Sequence, residues 1–197
     1  MKTIISTFIL VFLLSCDSPQ EIRNKQVKSS IHKKGAEIRE NYSQYRNDIT
    51  NSKFTSLLNF DRLKNDNNLQ ESKKIIGKAE SIFKTFNKNN EILVSDLTNL
   101  LDSIDKSERT SHKEIERLKS KFEKTFQIIK ENYKLDSTVL SLNKKILDLL
   151  SKCKYVIKDG QPEFESMDCV FEYNKRIMEL NQITIESKIN NLKNKVN

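Results

Sequence analysis

Cysteines, histidines and paired carboxylates are the side chains that could do chemistry in this chain, and their spacing limits what that chemistry is. Three cysteines stand at 16, 153 and 169, and two histidines at 32 and 112. Neither His32 nor His112 belongs to an H-E-x-x-H or a C-x-x-C set, so a zinc site has almost no ligands to draw on; no metal and no cofactor are expected. A catalytic cysteine is disfavoured too, because no histidine is sequence-near to Cys153 or Cys169. The three glycines, at 35, 77 and 160, match neither the G-x-G-x-x-G nor the G-x-x-x-x-G-K spacing of a phosphate loop. Glu163 with Glu165, or Glu114 with Glu116, would serve as acid and base only inside a pocket that perturbs their pKa values, and the sequence shows none. No catalytic residue is assigned, and the expectation is a protein without enzymatic activity.

The N-terminal stretch has a different character. Lys2 supplies one positive charge, and Ile4 to Leu14 forms an eleven-residue run interrupted only by Ser6 and Thr7. A helix needs about 20 apolar residues to span a bilayer, so this run has the length of an export signal rather than of a permanent membrane helix. Its end, Leu13-Leu14-Ser15-Cys16, resembles the lipobox of bacterial lipoproteins, in which a small residue precedes the cysteine and cleavage falls before it. The resemblance covers residues 1–16 alone. It implies a signal peptide over 1–15 and a diacylglycerol thioether on Cys16, often with a further acyl chain on its amine. Two or three chains hold firmly where one holds weakly, since each buried methylene contributes about 0.8 kcal/mol. The implied partner is therefore a membrane, reached through acyl chains on Cys16, on the exported side of a bacterial cell envelope. Asp17 resembles the inner-membrane retention signal of enterobacterial lipoproteins, a rule that does not transfer to all bacteria, so the choice of inner or outer membrane stays open.

Once Cys16 is acylated, Cys153 and Cys169 remain, and an even pair in an exported protein most simply forms one disulfide. Such a bridge would staple the base of the loop around Asp159-Gly160. Two thiols buried on apolar stripes are the competing arrangement. Lysines and arginines outnumber acids 35 to 27. Clusters such as Lys25, Lys28, Lys33 and Lys34, or Lys113, Arg117, Lys119, Lys121 and Lys124, could meet anionic lipid or another polyanion. Acidic residues are interleaved throughout, however, which usually marks a solvated helix face. Nucleic acid is not an expected partner, because no recognition motif occurs.

Apolar material is scarce, at 36% of 197 residues including the signal, and there are only three Gly and two Pro. Helices with a narrow apolar stripe suit such a composition better than a sheet buried on both faces. Ser18-Pro19-Gln20-Glu21 has the form of a helix start, with a serine cap, proline at the first position and glutamate three after the cap. Ile31, Ile38, Tyr42, Tyr45 and Ile49 then share one face. Phe54, Leu57, Leu58, Phe60 and Leu63 form a short cluster, and Asn68-Leu69-Gln70-Glu71 offers the cap of a second helix whose stripe runs from Ile75 to Phe86. Asn87-Lys88-Asn89-Asn90 should break that helix, with a third running from Leu93 to Ile104. A turn is expected near 105–111, with a capping box at Ser111-His112-Lys113-Glu114 and a continuous helix as the competitor. Stripes from Ile115 to Tyr133 and from Val139 to Cys153 follow as separate helices.

Between Tyr155 and Glu165, Asp159-Gly160 is flanked by β-formers and predicts a small hairpin or structured loop, serving either as a binding tip or as an ordinary connection. The last helix, from near Asp168 to the C-terminus, carries Val170, Tyr173, Ile177, Leu180, Ile185, Ile189, Leu192 and Val196 as one stripe. The expected fold is all-α: an antiparallel bundle of four to six helices over 31–197, with a tether or stalk over 16–30. The expected function is that of a membrane-tethered envelope lipoprotein acting as a non-enzymatic interaction or scaffold module, with a protein partner or self-association. A surface-displayed adhesin or host-ligand-binding lipoprotein is the alternative, and no ligand-binding residue is assigned.

Overall fold

The computed structural model describes the backbone of residues 19–103 and 109–196, so Cys16 and the expected signal lie outside the described residues. The chain is an all-α bundle with one two-stranded hairpin near its C-terminal end. Helix α1 spans Pro19–Asn51. A connector follows, made of a 3-10 turn at Phe54–Ser56, the short helix α2 at Phe60–Leu63 and a second 3-10 turn at Asn67–Leu69. Helix α3 runs Gln70–Asp102 and α4 runs Arg109–Lys152; strands β1 (Tyr155–Lys158) and β2 (Gln161–Phe164) and helix α5 (Met167–Val196) complete the chain.

Ion pairs reveal the direction of each helix. Lys28 bonds Glu114, and Arg46 Nη1 donates to Asp136 at 2.6 Å, so α1 and α4 run parallel. Lys34 meets Asp96 at 3.2 Å, Lys119 meets Asp102 at 3.2 Å and Lys144 meets Glu80, so α3 runs against both. The chain therefore reverses between α3 and α4, which excludes one continuous helix there. Of the turn expected near 105–111, residues 105–108 fall outside the described residues, while 109–111 already belong to α4, so Ser111 sits inside that helix rather than at its start.

The buried face of α1 repeats every seven residues through Asn24, Ile31, Ile38 and Tyr45, and buried Ser52 follows just past its end. Packing thus begins N-terminal to Ile31, with Asn24 buried and Val27 against the core. At the centre, Tyr45 stacks on Phe86 at 4.3 Å between ring centroids and meets Phe83 edge-on at 5.5 Å. Its hydroxyl donates to Asp136 at 2.9 Å, and Asn132 Nδ2 donates to the Tyr42 hydroxyl at the same distance. Burial, with the Asp136 charge beside it, pushes the Tyr45 hydroxyl far up, so it stays protonated and able to donate. Gly35 is the other fitted position. A Cβ there would lie 2.6 Å from a ring carbon of Phe122, so glycine lets the α4 ring approach the α1 backbone.

Two expected helix breaks do not occur. Asn87 to Asn90 lie within α3, because the buried positions Phe83, Phe86, Leu97 and Leu101 keep one phase through half-buried Asn90 and Leu93. Asn87 Nδ2 also donates to Glu91 one turn on, at 2.7 Å, so its side chain braces the helix instead of competing with it. In the same way α4 continues past Tyr133. Its core-facing position there is held by Asp136, whose carboxylate is occupied by Tyr45 and Arg46, and the burial resumes at Leu140, Ile146 and Leu150. A polar residue with partners from another helix filled the gap that apolar spacing alone read as a boundary.

The start of α3 is also built differently from the expected Asn68 cap. Asn68 and Leu69 adopt positive φ, 52° and 56°, and Asp66 does the capping. Its carboxylate accepts from the Glu71 and Ser72 backbone N–H groups at 2.8 and 2.9 Å, from the Ser72 hydroxyl, and from Arg62 Nη1 at 3.0 Å. Arg62 in turn donates to the Ser72 hydroxyl at 2.7 Å and to the Leu57 carbonyl. One buried carboxylate therefore ties the connector to the first turn of α3.

Candidate functional site

The chemistry-bearing residues are dispersed. His32 is exposed on α1, and Cys16 and the side chain of His112 lie outside the described ones. Among the described residues no group of three His, Cys, Asp or Glu side chains could hold a metal ion. Glu163 pairs with Lys158 at 3.4 Å and Glu165 with Lys154 at 3.9 Å, all four well exposed on the hairpin. Glu114 is taken up by Lys28, and several basic clusters are likewise met by their interleaved acids, as at Lys34 with Glu37 and Lys152 with Asp148.

Cys153 and Cys169 are brought together as a disulfide, closing the end of α4 onto the first turn of α5. Between them the hairpin has the expected form. Tyr155 faces Phe164 and Lys158 faces Gln161, and the turn residues Asp159 and Gly160 both take positive φ, 51° and 74°, as a two-residue hairpin loop requires. The strands alternate half-buried with exposed side chains, so Tyr155, Ile157 and Phe164 pack inward while Val156 is exposed.

Of these inward residues, Phe164 lines a groove at the hairpin end of the bundle. Phe164 lies 5.2 Å from Tyr173 of α5, which in turn meets Phe60 of the connector at 6.5 Å between ring centroids. The groove encloses about 770 Å³ between Leu58 and Phe60 on one side, β2 along its rim, and Tyr173, Ile177 and Leu180 on its floor. Burial raises the Tyr173 hydroxyl to about 12, so at neutral pH it is a neutral hydrogen-bonding group in a mixed wall that also carries Gln161, Glu163 and Asn174 beside its aromatic and aliphatic side chains.

On the outer side of α5 the sequence stripe needs correcting. Val170, Tyr173, Ile177 and Leu180 face the bundle, but Ile185 does not: it is 57% exposed and lies in a second row with Met167, Phe171 and Met178, which are 79%, 69% and 71% exposed. This row was legible in the seven-residue interval from Phe171 to Met178 to Ile185, hidden because an inner stripe already accounted for the helix. Phe171, Met178 and Ile185 of this row line a shallow hollow on α5 together with Asn174, Asn181 and Gln182.

No family model matches the chain, and neither a curated protein nor a solved structure does.

Proposed function

We propose that the chain is a lipid-anchored, non-enzymatic interaction module of a bacterial cell envelope, held at Cys16 and presenting α5 and the hairpin end to a protein partner. The observation that carries it is the exposed row of Met167, Phe171, Met178 and Ile185, large apolar side chains that a monomer in water has no use for in one contiguous line. Among the described residues no helix is long and apolar enough to cross a membrane, and attachment in this proposal rests on the acyl chains of Cys16. Pro19 opens α1 directly after the anchor, so the N-terminal end of the bundle would sit at the bilayer. The hairpin and its groove would project from the opposite end, about 50 Å away along the 33 residues of α1. Interleaved acids beside the lysines favour a protein partner over a polyanion.

Labelling of producing cells with radioactive palmitate tests this. The wild type is expected in the membrane fraction with label, and Cys16→Ala soluble without it. Proteinase K on intact cells then separates two positions: protection fits an envelope scaffold, and digestion fits the surface-displayed binder. Unlabelled, soluble wild-type protein contradicts the proposal.

A further inference from the structure

We infer that the bridge between Cys153 and Cys169 is a redox latch: a dithiol that opens it frees the hairpin and α5 from the bundle and dismantles the groove, and reoxidation rebuilds both. The inference rests on the bridge and the packing around it, and it holds with or without the tether at Cys16.

Burial divides the chain at the first cysteine of the bridge. Buried side chains run from Asn24 on α1 to Leu150 on α4, whereas from Cys153 to Glu186 not one side chain is buried. The connector, by contrast, is fixed to the core through Phe54, Leu57, Leu63 and Leu69. The hairpin and α5 therefore lie on the bundle as an added piece. Leu142 marks the seam. Among the described residues it is the one buried apolar side chain that stands outside the central cluster, and it lines a cleft together with Ile183 of α5. The bridge closes a sequence separation of 16, and removing such a closure raises the opening equilibrium about a hundredfold in the chain-entropy model. For a piece with no buried anchor of its own, that is the difference between a closed element and one that opens readily.

The groove takes its walls from both sides of the latch. Leu58 and Phe60 belong to the fixed connector, while Pro162, Phe164, Tyr173 and Ile177 belong to the latched piece, and the contact of Phe60 with Tyr173 at 6.5 Å crosses between the two. Opening separates these walls. The groove is thus complete in an oxidising compartment and absent in a reducing one, which confines any binding there to the former.

The exchange is an ordinary one. Both cysteines are half-buried, so a small dithiol reaches the bridge. One of its thiolates attacks a bridge sulfur; the S–S bond breaks as a mixed disulfide forms, and the other protein sulfur leaves as a thiolate and takes up a proton. The second thiolate of the reagent then displaces the first protein sulfur. The protein gains two electrons and two protons as two thiols, and the dithiol is oxidised to a cyclic disulfide.

Native trypsin digestion of the purified full-length chain, read by peptide mass spectrometry, tests it. Cutting after Lys175 and Arg176, within α5, is expected to be slow in the oxidised chain and about tenfold faster or more once dithiothreitol has opened the bridge, because cleavage follows the open population. Cutting after Lys84 and Lys88 of α3 should stay unchanged, and removal of the reagent with reoxidation should restore slow cutting of α5. The double variant Cys153→Ser with Cys169→Ser is expected to be cut fast in α5 whether or not the reagent is present. A bridge that dithiothreitol opens only in denaturant overturns the latch, as does a chain with both thiols free, shown by alkylation, whose α5 is cut no faster. Equal acceleration at Lys84 and Lys88 overturns its confinement to the hairpin and α5, and a response to dithiothreitol that persists in the double serine variant overturns its assignment to this bridge.

Discussion

Replacing Asp66 by alanine is expected to lower the unfolding free energy by about 3 kcal/mol or more, as read from urea denaturation of the full chain. The side chain of Asp66 is 1% exposed, and it satisfies two backbone N–H groups of α3, the Ser72 hydroxyl and Arg62. Its loss leaves the first turn of α3 uncapped and the Arg62 guanidinium, itself mostly buried, without its closest anion. The positive-φ pair Asn68 and Leu69 would then lose the contact that holds it in place. Burial by itself would raise this carboxyl, but the bonds from Ser72, Glu71 and Arg62 outweigh it and hold Asp66 below its ordinary value of 3.8. The sign follows from linkage. Stability from a depressed carboxyl is fully present above the unfolded value and lost as pH falls through the folded one. Wild type should therefore lose stability below about pH 4, and Asp66→Asn should show a shallower acid dependence at lower overall stability. A loss under about 1 kcal/mol for Asp66→Ala contradicts the assignment of Asp66 as the cap.

The second large effect concerns the other end of the chain. Replacing Cys153 and Cys169 together by serine opens a loop of sequence separation 16 and is expected to cost about 3 kcal/mol. The loss should be local rather than global. Helix α5 packs chiefly on the last part of α4 and on the hairpin, and its inward residues are half-buried rather than buried, so the bridge carries an unusually large share of its attachment. Hydrogen exchange should show the amides of β1, β2 and α5 losing protection in the double serine variant, while α1, α3 and the first half of α4 keep theirs. Equal loss across all helices would mean that α5 is part of the cooperative core. Unchanged protection would mean that Tyr173, Ile177 and Leu180 hold α5 unaided.

How much of this was legible in the sequence differs by element. The helix expected from Pro19 onward is present, the Ser18 cap lying outside the described residues, and the Asp159-Gly160 hairpin and the pairing of Cys153 with Cys169 follow from local chemistry that no distant residue overrides. The misread boundaries share one physical cause. At Asn87 and at Asp136, polar residues occupy positions on or beside the packed face, and each of these two has a partner, one turn along in α3 or across the bundle on α1. Apolar periodicity registers such a residue as an interruption, whereas the fold registers it as a contact. The Asp66 cap was hidden for a related reason. The Asn68 pattern matches a capping box, but the connector folds so that a carboxylate from outside that pattern reaches the helix end first. The outer row of α5 required allowing one helix two apolar faces, and the groove required knowing that the connector and the hairpin lie at the same end of the bundle.

Mass spectrometry of the N-terminal peptide of the purified mature protein tests the lipid-anchored assignment most directly. The predicted result is a chain that begins at Cys16 and carries a diacylglyceryl group on its sulfur. A chain that retains residues 1–15, or that is cleaved elsewhere and carries no lipid at Cys16, would contradict it.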